Sequence, residues 1–152
     1  MRWIVLVVLV GALAACGGPD DKGGASDFSA AQKIVDDVAA GHADLDRLTL
    51  HAVPTGKTDC TQVASTMASR RGKVSDPEDL KALSTGEEVL LDEDGKVDLT
   101  VPILKKDGKA TAVAGVTMLV KEGADHDAVV AEARAVAQEL EAAVQAAGKP
   151  VW

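Results

Sequence analysis

The chain has 152 residues, which is enough for one domain with a single hydrophobic core. Its net charge is −8 at pH 7, and this acidic balance argues against nucleic acid as a partner. Aromatic residues make up only 2% of the chain and none lies within residues 29–151, so we expect no ligand or cofactor held by aromatic stacking.

The first element in chain order is a secretory leader. Arg2 precedes an apolar run that ends in small residues, which is the order found in a signal peptide. The run from Trp3 to Ala15 is shorter than the roughly 20 residues of a membrane-spanning helix. The motif Leu13-Ala14-Ala15-Cys16 resembles the lipobox of bacterial lipoprotein signals. This resemblance implies cleavage between Ala15 and Cys16 and a lipid on Cys16; the alternative is an ordinary signal peptide that carries a cysteine near its end.

The leader divides the chain into three expected parts. Residues 1–15 are the signal peptide, residues 16–28 are the lipidated cysteine with a Gly-rich tether, and residues 29–152 are the folded domain. The lipid makes the membrane a partner and places the protein in the cell envelope. Gly17 stands where an inner-membrane retention signal has aspartate, which favours the periplasmic face of the outer membrane in a Gram-negative cell.

Cys60 is the second of the two cysteines. Because Cys16 is expected to carry lipid, Cys60 has no intramolecular disulfide partner. We expect Cys60 to be buried and inert, since an unpaired cysteine packs like a small apolar residue. A redox-active thiol and a disulfide between two chains are the alternatives.

A helix opens the folded domain. Ser29 and Gln32 form a capping-box pattern at its start, and apolar residues follow at helical spacing. Gly41 is expected to end it, although Leu45 and Leu48 also fit an extension of the same helix.

Two strands are predicted next. Residues 48–52 alternate between apolar and polar side chains, with His51 opposite the apolar set. Residues 62–67 alternate again and predict the second strand. A loop rich in Thr, Gly and Asp separates the two strands.

A short helix follows the second strand. Ser75-Asp76-Pro77 combines a capping side chain with proline in the first turn, and acidic residues follow near the positive end of the helix dipole. Leu80 and Leu83 are expected to face the core, and Gly86 is expected to end the helix.

Three further strands are predicted over residues 88–91, 97–103 and 110–121. The dipeptides Asp94-Gly95 and Asp107-Gly108 are typical of tight hairpin turns between them.

A long amphipathic helix ends the domain. It is expected to begin at Asp125 or Asp127 and to end at Gly148. Its apolar stripe consists of residues that recur at steps of three and four: Val129, Ala133, Val136, Leu140, Val144 and Ala147.

These elements predict an α+β fold: an antiparallel sheet of about five strands with an N-terminal helix, a short capping helix and a long C-terminal helix. Several sequence blocks resemble the single-Cache, or PDC, sensor domains, which have a PAS-like fold. The blocks are Val63-Ala64-Ser65-Thr66, Arg71-Gly72-Lys73-Val74-Ser75-Asp76-Pro77-Glu78-Asp79, Thr85-Gly86-Glu87, Val101-Pro102-Ile103-Leu104-Lys105-Lys106-Asp107-Gly108-Lys109 and Gly115-Val116.

The resemblance implies a pocket between the sheet and the short helix. Typical members lie between two membrane spans and signal through the helix that follows the sheet. Here no transmitter follows that helix before Trp152, so we expect a tethered module rather than a receptor. The aromatic residues that often line the pocket of relatives are absent from this segment.

Six residues are candidate ligand contacts: His51, Arg70, Arg71, Asp98, Thr100 and Gly115. Arg70 and Arg71 precede the capped helix, where a guanidinium and free amides can hold a carboxylate; solvated surface arginines are the alternative. Asp98 and Thr100 share one strand face, and they contact a ligand if that face lines the pocket. Gly115 indicates the close approach of another backbone or of a ligand.

The histidines give no sign of a metal site. His51 is either a ligand contact or a half-exposed strand residue, and His42 and His126 lie beside helix ends. Their spacing lacks a zinc pattern, and Asp92-Glu93-Asp94-Gly95 is too short for a calcium loop. No catalytic serine or cysteine motif is present, so we expect neither an enzyme nor a bound cofactor.

Two functions are therefore expected as alternatives. The first is a lipid-anchored Cache-like domain that binds a small organic solute, such as a carboxylate, in a sensing or accessory role. The second is an interaction lipoprotein whose last helix docks an envelope protein or forms a homodimer.

Overall fold

A computed structural model describes residues 28–148 and Trp152. The predicted leader, Cys16 and most of the tether lie outside the described residues. No helix of the described part is long and apolar enough to cross a membrane. The elements in chain order are α1 Ser29–Ala39, β1 Leu45–Ala52, β2 Thr61–Ser65, a 3₁₀ helix Ala68–Arg70, α2 Pro77–Thr85, β3 Val89–Glu93, β4 Lys96–Lys106, β5 Lys109–Leu119 and α3 His126–Ala146.

The five strands form one antiparallel sheet in the order β2-β1-β5-β4-β3, which confirms the predicted α+β class. Both predicted hairpin turns are present, because Glu93 pairs with Lys96 and Lys106 pairs with Lys109 across two-residue loops. In the second loop φ is positive at both central residues, Asp107-Gly108, as a type I′ turn requires.

The hydrophobic core lies between one face of the sheet and helices α1 and α3. The apolar alternation of β1 supplies Leu48, Leu50 and Ala52 to this core. The stripe of α3 supplies most of its predicted residues, including Val136 and Leu140, which are fully buried. Each fully buried leucine or valine stabilises the fold by about 1.5–3 kcal/mol relative to exposure.

The start of α1 differs from the sequence prediction. Phe28 is the N-cap residue, with no side-chain cap hydrogen bond, so the capping box at Ser29 is wrong. The Gln32 amide instead bonds the backbone of the edge strand β2: Nε2 donates to the Ser65 carbonyl at 3.0 Å and Oε1 accepts from its N–H at 3.1 Å. Leu45 and Leu48 belong to β1 and do not extend the helix.

Helix α2 packs on the opposite face of the sheet, against β3, β4 and β5. The prediction that Leu80 faces the core is wrong, because Leu80 is 41% exposed. The buried residues of α2 are Asp79 and Ala82. The capping box between Asp76 and Asp79 fixes the rotation of the first turn, and this rotation directs Asp79 toward the sheet and the next residue toward solvent.

Candidate functional site

The candidate site is a small void between α2 and the polar face of the sheet. Its volume is about 10 Å³, which is room for about one water molecule. Nearly all of its lining residues are polar or charged: Arg47, Thr49, His51, Gln62, Arg70, Asp76, Glu78, Asp79, Asp98 and Gly115.

The central strands β1 and β5 build the floor of the site. Because side chains alternate along β1, Arg47, Thr49 and His51 share the face opposite the apolar core. Gly115 of β5 pairs with Thr49, and its missing side chain leaves space beside His51. A Cβ atom at position 115 would lie 3.1 Å from His51 Nε2.

His51 is buried in this site with only 4% of its surface exposed, so the half-exposed alternative is wrong. Its Nδ1 atom lies 3.0 Å from the Ser75 hydroxyl oxygen and 3.2 Å from Asp79 Oδ2. Burial lowers the pKa of His51 to about 3, against the opposing effect of the Asp76 charge. The imidazole is therefore neutral at physiological pH.

Asp79 joins α2 to the sheet. Its Oδ2 atom accepts a hydrogen bond from the Asp76 N–H at 3.0 Å, and the Thr100 hydroxyl lies 3.5 Å from Oδ1. Burial raises the pKa of Asp79 to about 7, although the hydrogen bond from the Asp76 backbone favours the charged form. A substantial share of Asp79 is thus a neutral carboxylic acid near pH 7.

Two arginine–carboxylate pairs flank the void. Arg47 Nη2 donates to Asp98 Oδ2 at 2.9 Å, and the Thr117 hydroxyl donates to Asp98 Oδ1 at 3.2 Å. Burial raises the pKa of Asp98, and the Arg47 charge counteracts this effect. Arg70 Nη1 donates to Asp76 Oδ2 at 2.6 Å at the more exposed rim. The inner pair is better shielded from solvent and is the stronger electrostatic feature.

Cys60 lies at the edge of the same polar cluster. It is a buried free thiol, which confirms the expected burial. The Ser75 hydroxyl donates to Cys60 Sγ at 3.3 Å. Burial raises the pKa of the Cys60 thiol, so the sulfur stays protonated and is a poor nucleophile.

The structure brings four of the six candidate residues to the void: His51, Arg70, Asp98 and Gly115. Thr100 is buried beside Asp79, below the lining. Arg71 lies apart from the void, where its Nε donates to the Ser65 carbonyl at 2.8 Å.

Sequence reasoning did not single out several lining residues. The alternation of β1 carries a signal for Arg47 and Thr49, since both share a face with His51. Nothing in the sequence distinguishes Asp79 from an ordinary acidic residue in the first turn of a helix.

The other histidines are surface residues with acidic partners. His42 Nε2 lies 2.9 Å from Glu139, and His126 Nε2 lies 2.7 Å from Asp92. Within residues 28–148 and Trp152, no three His, Cys, Asp or Glu side chains are arranged to hold a metal ion.

Solved structures share this architecture. A GAF domain/HD domain protein from Geobacter sulfurreducens matches with a TM-score of 0.52 at 12% identity, over 79% of this chain and 93% of that chain. The GAF domain of an Acinetobacter phosphoenolpyruvate-protein phosphotransferase matches with a TM-score of 0.53 at 15% identity. This match covers 80% of this chain and 83% of that chain. Residues 122 to 287 of a methyl-accepting chemotaxis protein match with a TM-score of 0.51 at 14% identity. This match covers 77% of this chain and 86% of that chain.

The chain has a GAF-like fold. GAF domains are PAS-like, so the likeness agrees with the sheet and helices predicted from the sequence. No protein-family model and no curated protein matches the sequence.

Proposed function

We propose that the protein is a lipid-anchored extracytoplasmic domain of Cache-like type that binds a small organic carboxylate between α2 and the sheet. The observation that carries this proposal is the buried polar cluster around His51, Asp79 and Asp98. Burial of charged and polar groups is costly, and shifted pKa values cluster at functional sites. An apolar interface would have held α2 in place at less cost.

The weak apolar packing of α2 suits a movable cover. Ala82 is its only fully buried apolar residue within the described structure, while Leu80 is exposed. Gly86 directly follows the helix and has positive φ, whereas the segment before the helix is bonded to β2, since the Gly72 N–H donates to the Gln62 carbonyl. Because the void has room for only about one water molecule, α2 must move outward before a solute of several heavy atoms can enter.

The two arginines favour a carboxylate as the bound group. A guanidinium donates two parallel hydrogen bonds to a carboxylate, and Arg47 and Arg70 already make single contacts of this type with Asp98 and Asp76. Asp76 is the N-cap residue of α2, so when α2 moves outward a solute carboxylate would take the place of Asp76 beside Arg70.

The lipobox-like motif and the fold support a sensing or accessory role in the envelope. Leu13-Ala14-Ala15-Cys16 follows an apolar leader, and one structural neighbour is a methyl-accepting chemotaxis protein. An interaction lipoprotein that docks through the stripe of α3 is less well supported, because Val136 and Leu140 are buried against this chain's own sheet.

Replacement of Cys16 with serine should release the protein from the membrane. Several acyl chains on Cys16 would give firm anchoring, since each buried methylene contributes about 0.8 kcal/mol. Fractionation of cells and labelling with a fatty acid would measure this loss, with Cys60→Ser as the matched control that stays lipidated. A Cys16→Ser protein that remains in the membrane fraction with its label would contradict the anchor.

A carboxylate that binds the site should raise the thermal unfolding midpoint of the protein. At a concentration of 100 times its Kd, a ligand stabilises the folded state by about 2.7 kcal/mol. Gly115→Ala should remove this stabilisation, because the new Cβ would lie 3.1 Å from His51 Nε2. Gly41→Ala is the matched control, since it adds the same methyl group far from the void. No stabilisation by any member of a broad carboxylate panel would count against the proposal.

A further inference from the structure

One nitrogen of the buried His51 ring faces the void without a partner. Its Nδ1 atom contacts Ser75 and Asp79, whereas Nε2 makes no hydrogen bond to any residue of the described structure. Nε2 lies beside the open position above Gly115, at the floor of the site. Thr61 Oγ1 is the one fully enclosed side-chain N or O atom of the described residues without a hydrogen-bond partner, so Nε2 is reachable from the void, where a donor group can contact it.

The contacts of Nδ1 determine which ring nitrogen carries the proton. The Ser75 hydroxyl directs its hydrogen to Cys60, so its oxygen is free to accept from Nδ1. Asp79 Oδ2 already accepts from the Asp76 N–H and is an acceptor toward Nδ1 as well. An atom that faces two acceptors is the donor, so the proton lies on Nδ1 and Nε2 keeps a free lone pair.

Protonation of Asp79 leaves this assignment unchanged. The second oxygen, Oδ1, lies 3.5 Å from the Thr100 hydroxyl, and a proton on Oδ1 leaves Oδ2 as an acceptor. Arg47 and Arg70 also face the site and disfavour a second proton on His51. Asp76 opposes them, but desolvation by burial is the largest effect and keeps the ring neutral.

We propose that His51 Nε2 is the hydrogen-bond acceptor of the solute site and selects a ligand that presents a hydroxyl or amine hydrogen above Gly115. This inference rests on the proposed function and narrows it: the solute is a carboxylate with a hydrogen-bond donor, such as a hydroxy acid. The carboxylate contacts an arginine, and the donor contacts Nε2. Without a ligand, the void has room for about one water molecule.

The first test measures the tautomer and needs no ligand. NMR spectra that correlate ring hydrogens with ring nitrogens, recorded on the ¹⁵N-labelled full chain at pH 6 and pH 8, report which nitrogen of His51 is protonated. His51→Gln assigns the signals among the three histidines. We expect a neutral ring with its proton on Nδ1 at both pH values. A proton on Nε2, or a cationic ring at pH 6, would overturn the inference.

The second test compares ligands with and without the donor. Glycolate, lactate and malate are each titrated beside their O-methyl ethers, which keep the carboxylate and lose the hydroxyl hydrogen. The hydroxy acids should bind at least about tenfold more tightly, because the ethers leave Nε2 buried without a partner. Equal affinity of an acid and its ether would show that Nε2 does not select the ligand.

The two tests separate the inference from the proposed function. If no carboxylate binds, the proposed function fails, while the NMR result still decides the state of His51. If carboxylates bind and the proton is found on Nε2, the proposed function stands and the role of His51 is wrong.

Discussion

Asp79→Asn should gain stability relative to the wild type as the pH rises, by roughly 3 kcal/mol between pH 4.5 and pH 7. The pKa of Asp79 is raised in the folded state from 3.8 to about 7, mainly because burial disfavours its charged form. A raised pKa stabilises the fold below pH 3.8, and this stabilisation is lost as the pH rises toward 7. Asparagine cannot ionise, so the Asp79→Asn variant does not lose stability in this way as the pH rises.

Urea unfolding of both proteins at several pH values measures this difference. Asparagine keeps an oxygen that can accept from the Asp76 N–H, so the capping box is retained. Glu122→Gln removes a carboxylate at an exposed position and is the matched control. Parallel curves for Asp79→Asn and the wild type would show that Asp79 does not titrate in a buried site.

His51 gives the opposite dependence and is present in both proteins. Its pKa is lowered to about 3, so its contribution to stability is present above pH 6.5 and is lost as the pH falls toward 3. In the wild type this effect and that of Asp79 offset each other between about pH 4 and pH 6.5. The combined contribution of His51 and Asp79 to the free energy of unfolding should therefore vary little with pH in this window.

Leu140→Ala should destabilise the fold by about 2–5 kcal/mol. Leu140 is fully buried where α3 packs on the sheet, so truncation removes buried apolar surface and leaves a cavity. Leu80→Ala makes the same chemical change on α2 at a side chain that is 41% exposed, and should change stability by no more than about 0.5 kcal/mol. The free energy of unfolding in urea measures both, and equal losses would contradict the packing described here.

These two leucines show how far the sequence predicts the fold. Local patterns predicted the five strands and the three α-helices, because alternation, helical spacing and turn dipeptides act over a few residues, but they did not predict the 3₁₀ helix Ala68–Arg70. The stripe of α3 extends over about five turns, and its long period predicted the buried face. Helix α2 has only nine residues, and its rotation follows from the capping contact between Asp76 and Asp79. Spacing alone could not show that Leu80 faces solvent.

In the candidate site, too, local sequence patterns predicted some features, whereas others depend on contacts between distant parts of the chain. Strand alternation placed His51 and Asp98 on polar faces. Gly115 was expected to mark the approach of another backbone or of a ligand, whereas the group beside it is the His51 side chain. The degree of burial could not be predicted, because it depends on how α2 covers the sheet. Asp79 was missed for the same reason: its partners are distant in sequence and come together only in the fold.

Burying the polar cluster of His51 and Asp79 costs free energy, and a binding role would explain why the fold keeps it. Burial lowers the pKa of His51 to about 3 and raises the pKa of Asp79 to about 7, so both groups titrate far from the pH at which they titrate in water. The sheet face beneath α2 buries polar and charged side chains, which a stable core normally excludes. The face beneath α1 and α3 buries apolar side chains, as a stable core requires. Such a local departure is typical of a functional site.

We propose that a small carboxylate binds between α2 and the sheet. The most direct measurement is the thermal unfolding midpoint of the wild type, Gly115→Ala and Gly41→Ala with the panel of hydroxy acids. An acid should raise the midpoint of the wild type and of Gly41→Ala and should leave that of Gly115→Ala unchanged. Equal stabilisation of all three proteins would place binding elsewhere, and stabilisation of none would contradict the claim.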